Sequence, residues 1–129
     1  MITLNSFESD GFDQFGLHTS VLLGIKELGF DTPRPIQTET IPAGMEGRDV
    51  LGLAQTGTGK TAAFALPLLD RLVRNPGFGP RVLILAPTRE LATQITREIH
   101  ALARFTHLKM VTIYGGVSAF NQVRDLRQH

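Results

Sequence analysis

Three short strand candidates, separated by longer helical patterns, limit most strongly what this chain can fold into. They lie at residues 50–53, 81–86 and 109–114. The middle candidate is continuously apolar after Arg81, as expected of a strand that is covered on both faces of a sheet. Short strands that alternate with long helices indicate βαβ units. The sequence therefore predicts an α/β fold with a parallel sheet.

Five helices are predicted around these strand candidates, at residues 20–28, 36–45, 60–74, 89–104 and 118–127. Thr19 or Ser20 can cap the first helix, and Gly29 suits its C-terminal end. Pro42 can break the second, because proline removes a backbone hydrogen bond. The predicted organisation is an extended lead-in at 1–16, a helical region at 17–48 and a partial domain at 49–129.

Composition excludes several classes of protein. The chain has no cysteine, which excludes disulfides and a cysteine-based zinc site. Its four histidines show no pair at metal-ligand spacing, and we interpret them as surface residues. No apolar run approaches the length of a membrane span, and the polar, acidic N-terminus does not resemble a signal peptide. We therefore expect a cytoplasmic protein with no membrane partner.

Charge is distributed unevenly along the chain. Up to Gly59 there are eight acidic and three basic residues, whereas from Lys60 onward there are ten basic and four acidic ones. A basic C-terminal part would suit a polyanionic ligand, although such a skew can also be a solvated face.

Residues 54–61 match the pattern of a phosphate-binding loop, except that alanine replaces the usual first glycine. Glycines let successive N–H groups turn toward phosphate oxygens, and the following helix adds the positive end of its dipole. A chance glycine-rich turn is the alternative interpretation. The predicted nucleotide contacts here are Ala54, Gln55, Thr56, Gly57, Thr58, Gly59, Lys60 and Thr61.

Two residues of this loop are predicted to be catalytic. Lys60 would neutralise charge on the β- and γ-phosphates, and the Thr61 hydroxyl would be a ligand of Mg²⁺. The pattern indicates a nucleoside triphosphate without specifying the base.

Residues 29–37, Gly-Phe-Asp-Thr-Pro-Arg-Pro-Ile-Gln, resemble the Q motif of DEAD-box helicases. An isolated aromatic, Phe12, precedes them at the family's spacing. The resemblance implies that Gln37 hydrogen-bonds the adenine edge, that Phe12 stacks on its face, and that Phe30 belongs to the nucleotide site. Arg34 stands where the family commonly has a small hydroxyl residue. Taken alone, Gln37 could be a polar surface residue at a helix start.

Two later segments are similar to nucleic-acid-binding motifs of the same family. Residues 87–92, Pro-Thr-Arg-Glu-Leu-Ala, look like motif Ia, and the glycine pair after Tyr114 looks like the GG motif. Thr88 could also be a helix cap, and a glycine pair could be a plain turn. The RNA contacts that the resemblance implies are Pro87, Thr88, Arg89, Gly115 and Gly116.

The resemblance implies a RecA-like P-loop domain of an ATP-dependent RNA helicase that uses ATP and Mg²⁺. A DNA-directed helicase, or a nucleotide- or RNA-binding fragment without activity, are the alternatives. The family's acidic box and second domain do not occur before His129, so we expect no ATPase or unwinding by these residues alone. We also expect the sheet to be completed by the rest of a longer polypeptide or by a second copy.

Overall fold

The computed structural model describes residues 11–128. A single 3₁₀ turn at Phe12–Phe15 precedes five α-helices. The helices are α1 (Thr19–Glu27), α2 (Pro35–Met45), α3 (Lys60–Arg74), α4 (Arg89–Leu102) and α5 (Ala119–Gln128). All five predicted helices are therefore confirmed, with end points that differ by at most two residues. Most of the predicted extended lead-in lies outside the described residues, and its last part contains the 3₁₀ turn instead.

The helix ends show where local sequence rules held and where they failed. His18 caps α1, because its Nδ1 accepts the Ser20 N–H at 3.2 Å; the expectation that Thr19 or Ser20 is the cap was wrong. Thr88 caps α4 as predicted, with its hydroxyl accepting the Leu91 N–H at 3.2 Å. Pro42 does not break α2, and its carbonyl accepts the Glu46 N–H at 3.1 Å.

The apolar faces of α1, α2, α3 and α4 meet in one core. Its largest side chains with almost no exposed surface are Val21, Ile25, Ile41, Leu66 and Leu102. Burying such an aliphatic side chain contributes about 1.5–3 kcal/mol each. This helical layer fixes the position of α3, and hence of the loop that precedes it.

A buried carboxylate ties α3 to the start of α1. Asp70 is 4% exposed, and its Oδ1 accepts the His18 backbone N–H at 2.7 Å. Its Oδ2 accepts Arg74 Nε at 2.8 Å, and Arg74 Nη2 donates to the Gly16 carbonyl at 2.8 Å. The hydrogen bond to Asp70 and the charge of Asp70 raise the pKa of Arg74 above its usual value.

The three predicted strands are not formed in the part of the chain that the structure describes. Segments 50–53, 81–86 and 109–114 are extended, but no backbone hydrogen bond joins any of them to a neighbour. A strand exists through its pairing, and an extended segment without a partner has no ladder. The parallel sheet is therefore not observed among residues 11–128, although the segments lie where the strands were expected.

Exposure alternates along the segment at 81–86, as it does along a strand. Leu83 and Leu85 are 82% and 84% exposed, whereas Val82 and Ile84 are 36% and 37% exposed. Successive side chains of an extended backbone point to opposite sides. One side is thus partly shielded and the other is open. The continuous apolar run had predicted cover on both sides.

The last helix packs least. None of the residues of α5 is buried, and Phe120 on its apolar face is 76% exposed. Within residues 11–128, no helix combines the length and apolar character needed to span a membrane.

Candidate functional site

The loop before α3 has the backbone geometry of a phosphate-binding loop. Gly57 and Gly59 have φ angles of +79° and +87°, in the left-handed region that favours glycine. Gly59 is also the N-cap of α3. A Cβ at Gly59 would lie 2.5 Å from Gln37 Nε2, so glycine is needed there for space as well as for conformation.

The first turn of α3 offers backbone amides at the end of this loop. The first hydrogen bond of the helix runs from the Ala63 N–H to the Gly59 carbonyl, at 3.1 Å. The amides of Lys60, Thr61 and Ala62 precede it and so have no acceptor within the helix. Together with the helix dipole they favour an anion at this point.

Lys60 lies over the start of the same loop. Its Nζ donates to the Ala54 carbonyl at 2.5 Å, and the Thr58 hydroxyl donates to the Gln55 carbonyl at 2.7 Å. These bonds bring the two ends of the loop together around the amides of α3. Lys60 keeps two ammonium hydrogens for another acceptor.

Two residues at the start of α2 reach across to this loop. Gln37 is only 3% exposed, and its Nε2 donates to the Gly59 carbonyl at 3.1 Å. Its Oε1 accepts the Arg34 backbone N–H at 2.9 Å, while the Arg34 guanidinium donates to the Gly57 carbonyl. The alternative interpretation of Gln37 as a surface residue was therefore wrong. Its amide keeps one hydrogen and one lone pair, a donor–acceptor pair that can match adenine.

A groove of about 400 Å³ lies between the start of α2 and the loop. It is lined by both polar and apolar groups: Arg34, Pro35, Ile36, Glu39, Leu53, Ala54, Gly57 and Thr58. The groove joins the Q-motif-like segment to the phosphate loop.

The two aromatic residues predicted for the nucleotide site are placed differently from Gln37. Phe12 is 4% exposed, with its ring edge-on to Phe15 at a centroid distance of 6.0 Å. Phe30 is partly buried and packs against the same core. Both rings thus contact protein in this structure. Their contact with a nucleotide stays a prediction.

The structure brings the two motifs that resemble nucleic-acid contacts together. The Arg89 guanidinium donates to the Gly115 carbonyl and lies over the Tyr114 ring, 5.9 Å from its centroid. Gly116 has a φ of +74°, and a Cβ there would lie 2.9 Å from Arg89 Nη2. The glycine pair thus lies in a turn that contacts this side chain. Pro87 and Thr88, which precede Arg89 in the chain, are exposed.

Three polar contacts that sequence reasoning missed hold in place the corner where Arg89 meets the glycine pair. The Thr93 and Tyr114 hydroxyls lie 2.7 Å apart. Gln122 accepts the Tyr114 N–H through Oε1 at 2.8 Å and donates to the Tyr114 carbonyl at 3.3 Å. The Thr96 and Thr112 hydroxyls form a further pair at 2.9 Å. The partners lie on different elements of the chain, so no local pattern could have indicated them.

An open groove runs along α4 from this corner and carries balanced charge. Its ionisable side chains near α4 are Arg89, Arg97, Glu90 and Glu98, two of each sign. A general positive field would attract a polyanion along the whole groove, and this one has none.

Metal-binding capacity is small within the described part of the chain. Residues 11–128 contain no group of three His, Cys, Asp or Glu side chains that could hold an ion. Thr61, in the first turn of α3, is half-buried beside the loop. One hydroxyl is a partial donor set for Mg²⁺, which takes its remaining oxygens from phosphate and water in many nucleotide sites.

Comparison with known proteins agrees with this geometry. A family model described as DEAD/DEAH box helicase matches residues 34–129. The ATP-dependent RNA helicase SrmB of Haemophilus influenzae is 50% identical over 125 residues, covering 89% of this chain and 28% of the relative. The ATP-dependent RNA helicase CshA of Listeria monocytogenes is 42% identical over 118 residues, which cover 92% of this chain and 22% of the relative. The chain thus spans about a quarter of the length of these relatives.

Solved structures give the same result. The RNA-helicase Prp28 from Chaetomium thermophilum, bound to ADP, matches with a TM-score of 0.79 and 42% identity over 91% of this chain and 30% of its own. A DEAD box protein from Methanococcus jannaschii matches with a TM-score of 0.83 and 39% identity, and the match covers 90% of this chain and 32% of that protein. The family model covers the loop before α3, the buried Gln37 beside it and the contact between Arg89 and Gly115. This chain belongs to the DEAD/DEAH box helicases.

Proposed function

We propose that this chain is the nucleotide-binding part of an ATP-dependent RNA helicase with a RecA-like parallel sheet. The observation that carries the proposal is the contact between Gln37 and the phosphate loop. It places a group that can read a base beside amides that favour phosphate. The names of the relatives, which are ATP-dependent RNA helicases, support the same function.

In this proposal the nucleotide is ATP. Lys60, Thr61 and the loop amides bind its phosphates, while Gln37 selects adenine with help from Phe12 and Phe30. Thr61 would hold Mg²⁺, which would supply charge neutralisation at the β- and γ-phosphates. The similar Prp28 structure was solved with ADP bound, which supports an adenine nucleotide.

The proposed nucleic-acid surface is the corner where Arg89 meets the glycine pair. Pro87, Thr88, Arg89, Gly115 and Gly116 would contact the backbone of RNA, where contacts do not depend on base identity. The support is that residues 26 positions apart in sequence, Arg89 and Gly115, are hydrogen-bonded. The alternative is a DNA-directed helicase with the same core. Such a helicase would show no preference for RNA when ribose and deoxyribose strands compete for binding.

The exposed apolar segments support a longer polypeptide, or a second copy, as the partner that completes the sheet. Leu51, Leu53, Leu83 and Leu85 are each more than four-fifths exposed. Strands that are buried on both faces read as such continuous apolar runs. We propose that the 129 residues alone bind nucleotide without turnover. RNA-stimulated phosphate release from the pure 129-residue chain would contradict this. The cytoplasmic location also stays a prediction.

Competition between ADP and GDP, with and without Gln37→Ala, tests the proposed function. We expect the chain to prefer ADP and the variant to lose that preference. A wild-type chain that binds neither nucleotide, or that binds both equally, would contradict the assignment of the adenine site.

A further inference from the structure

Arg34 stands at the N-cap of α2, and although its side chain is exposed, it reaches across the surface to the loop before α3. The guanidinium crosses to the phosphate loop and donates from Nη1 to the Gly57 carbonyl. Its Cδ also closes the space beside Gly59, where a Cβ would come within 3.2 Å of it. Arg34 and Gln37 therefore hold the carbonyls of two alternate glycines of the loop.

The Arg34 bond fixes the orientation of one peptide unit. In a planar trans peptide, the C=O of Gly57 and the N–H of Thr58 point in opposite directions. Because Arg34 holds the carbonyl toward α2, the Thr58 N–H is directed to the other side of the loop. Gly57 has a φ of +79° and no Cβ, so little else restricts this unit. A charged donor also polarises the peptide and makes its N–H a better donor.

We propose that Arg34 is a positioning residue for phosphate, acting through the Gly57–Thr58 peptide. It holds the Thr58 N–H in the orientation in which the loop binds the diphosphate portion of a nucleotide. The inference rests on the proposed nucleotide function and deepens it. Gln37 serves the base, whereas Arg34 serves the diphosphate.

A competing explanation is that the positive charge of Arg34 simply attracts phosphate from a distance. The two explanations differ in what a lysine would do. Lysine keeps the charge but is a compact point donor on a different stem, without the planar fork of a guanidinium. Positioning through a fixed peptide requires that geometry, whereas long-range attraction does not.

The variants are Arg34→Thr and Arg34→Lys, and the control is Arg124→Thr. Threonine is a better N-cap than arginine, so the first variant should keep α2 folded. Arg124 is an exposed arginine on α5 whose contact is with the adjacent Asp125, at 3.4 Å, so its replacement removes the same charge elsewhere. The thermal midpoint of each variant checks that folding is unchanged.

The experiment titrates Mg-ADP, Mg-GDP and inorganic pyrophosphate into the intact protein that contains this chain. Because Arg34 is exposed, solvent screens its charge-assisted hydrogen bond, and its loss should weaken pyrophosphate and ADP binding about 5- to 10-fold in both Arg34 variants. The ratio of ADP to GDP affinity and the thermal midpoint should stay at wild-type values, and Arg124→Thr should bind as wild type does.

Wild-type affinity in Arg34→Thr, or full recovery in Arg34→Lys, would overturn the inference while leaving the proposed function intact. Equal weakening by Arg124→Thr would also overturn it, because net charge would then be the cause. A wild-type protein that binds no ADP at all would instead contradict the proposed function itself.

Discussion

The helical layer and the three apolar extended segments contain similar residues but differ sharply in exposure. Leu66 of α3 has no exposed surface, whereas Leu83 of the extended segment at 81–86 is 82% exposed. A helix satisfies its backbone within itself, so its side chains are free to form a core with any apolar neighbour. An extended segment needs a second segment first. Composition alone therefore does not decide which apolar residues are buried. What decides it is whether the backbone finds its hydrogen-bond partners within its own segment or needs a second segment.

Truncating one leucine in each region tests this difference most directly. We expect Leu66→Ala to lower the free energy of unfolding by about 3 kcal/mol, because it leaves a cavity in a packed core. Leu83→Ala should change it by less than about 0.5 kcal/mol, as surface substitutions do. Urea denaturation of the 129-residue chain measures both. Equal losses would show that the segment at 81–86 is already packed in solution.

A smaller effect is expected where two helices of the layer cross. Gly24 of α1 faces the Leu102 backbone of α4, and a Cβ there would overlap the Leu102 carbonyl carbon at 2.8 Å. We expect Gly24→Ala to cost about 2 kcal/mol from overpacking, even though alanine is the better helix former.

Gly44→Ala is the matched comparison for Gly24→Ala. Its Cβ would contact the ring of Pro67, at 2.8 Å and 3.0 Å, whereas the Cβ of the Gly24 variant would overlap the backbone carbonyl group of Leu102, which is the more severe clash. Thermal denaturation should rank the Gly24 variant well below the Gly44 variant. The reverse order would mean that α1 and α4 are not in close contact.

The buried carboxylate gives a prediction of intermediate size. Asp70→Asn keeps an acceptor for the His18 N–H but replaces the oxygen that Arg74 Nε contacts. Because Arg74 is about half exposed, solvent screens part of the loss, and we expect a smaller loss of stability than for Gly24→Ala. Arg74→Ala should give a comparable loss in the same denaturation assay. If neither variant is less stable, the link between α3 and α1 contributes nothing.

The smallest effect is expected at the corner that joins α4 to the third extended segment. Tyr114→Phe removes one hydroxyl, which lies 2.7 Å from the Thr93 hydroxyl, and should cost about 0.5–1 kcal/mol. Hydrogen exchange of the amides in residues 109–114 provides a local readout. Faster exchange there, with the core helices unchanged, would sharpen the contrast; no change would show that Gln122 alone holds the segment.

The helices could be predicted because their signals are local. Apolar spacing, the Thr88 cap and the turn glycines all lie within a few residues of the structure that they specify. The contacts of Asp70 could not be predicted, since His18 lies 52 positions away and no pattern joins the two. The same holds for the strands, whose pairing is non-local by nature.

The candidate site divides in the same way. Residues 54–61 were recognisable from spacing, because Gly57 and Gly59 adopt positive φ angles that favour glycine. The family resemblance pointed to Gln37 as a nucleotide-site residue, but its burial against Gly59, 22 positions away, was not predicted. The Arg34 contact with Gly57 could not be expected at all, because at that position the sequence departs from the family pattern.

The exposed leucines of the segment at 81–86 have a consequence for synthesis on the ribosome. At about 5–20 residues per second, each further strand of a longer polypeptide would emerge seconds after this one. During that interval Leu83 and Leu85 would face water, on a segment whose composition favours intermolecular β-pairing. We therefore expect a nascent chain of this kind to bind holding chaperones. Its yield on expression should depend on chaperone supply more than on the stability of its helices.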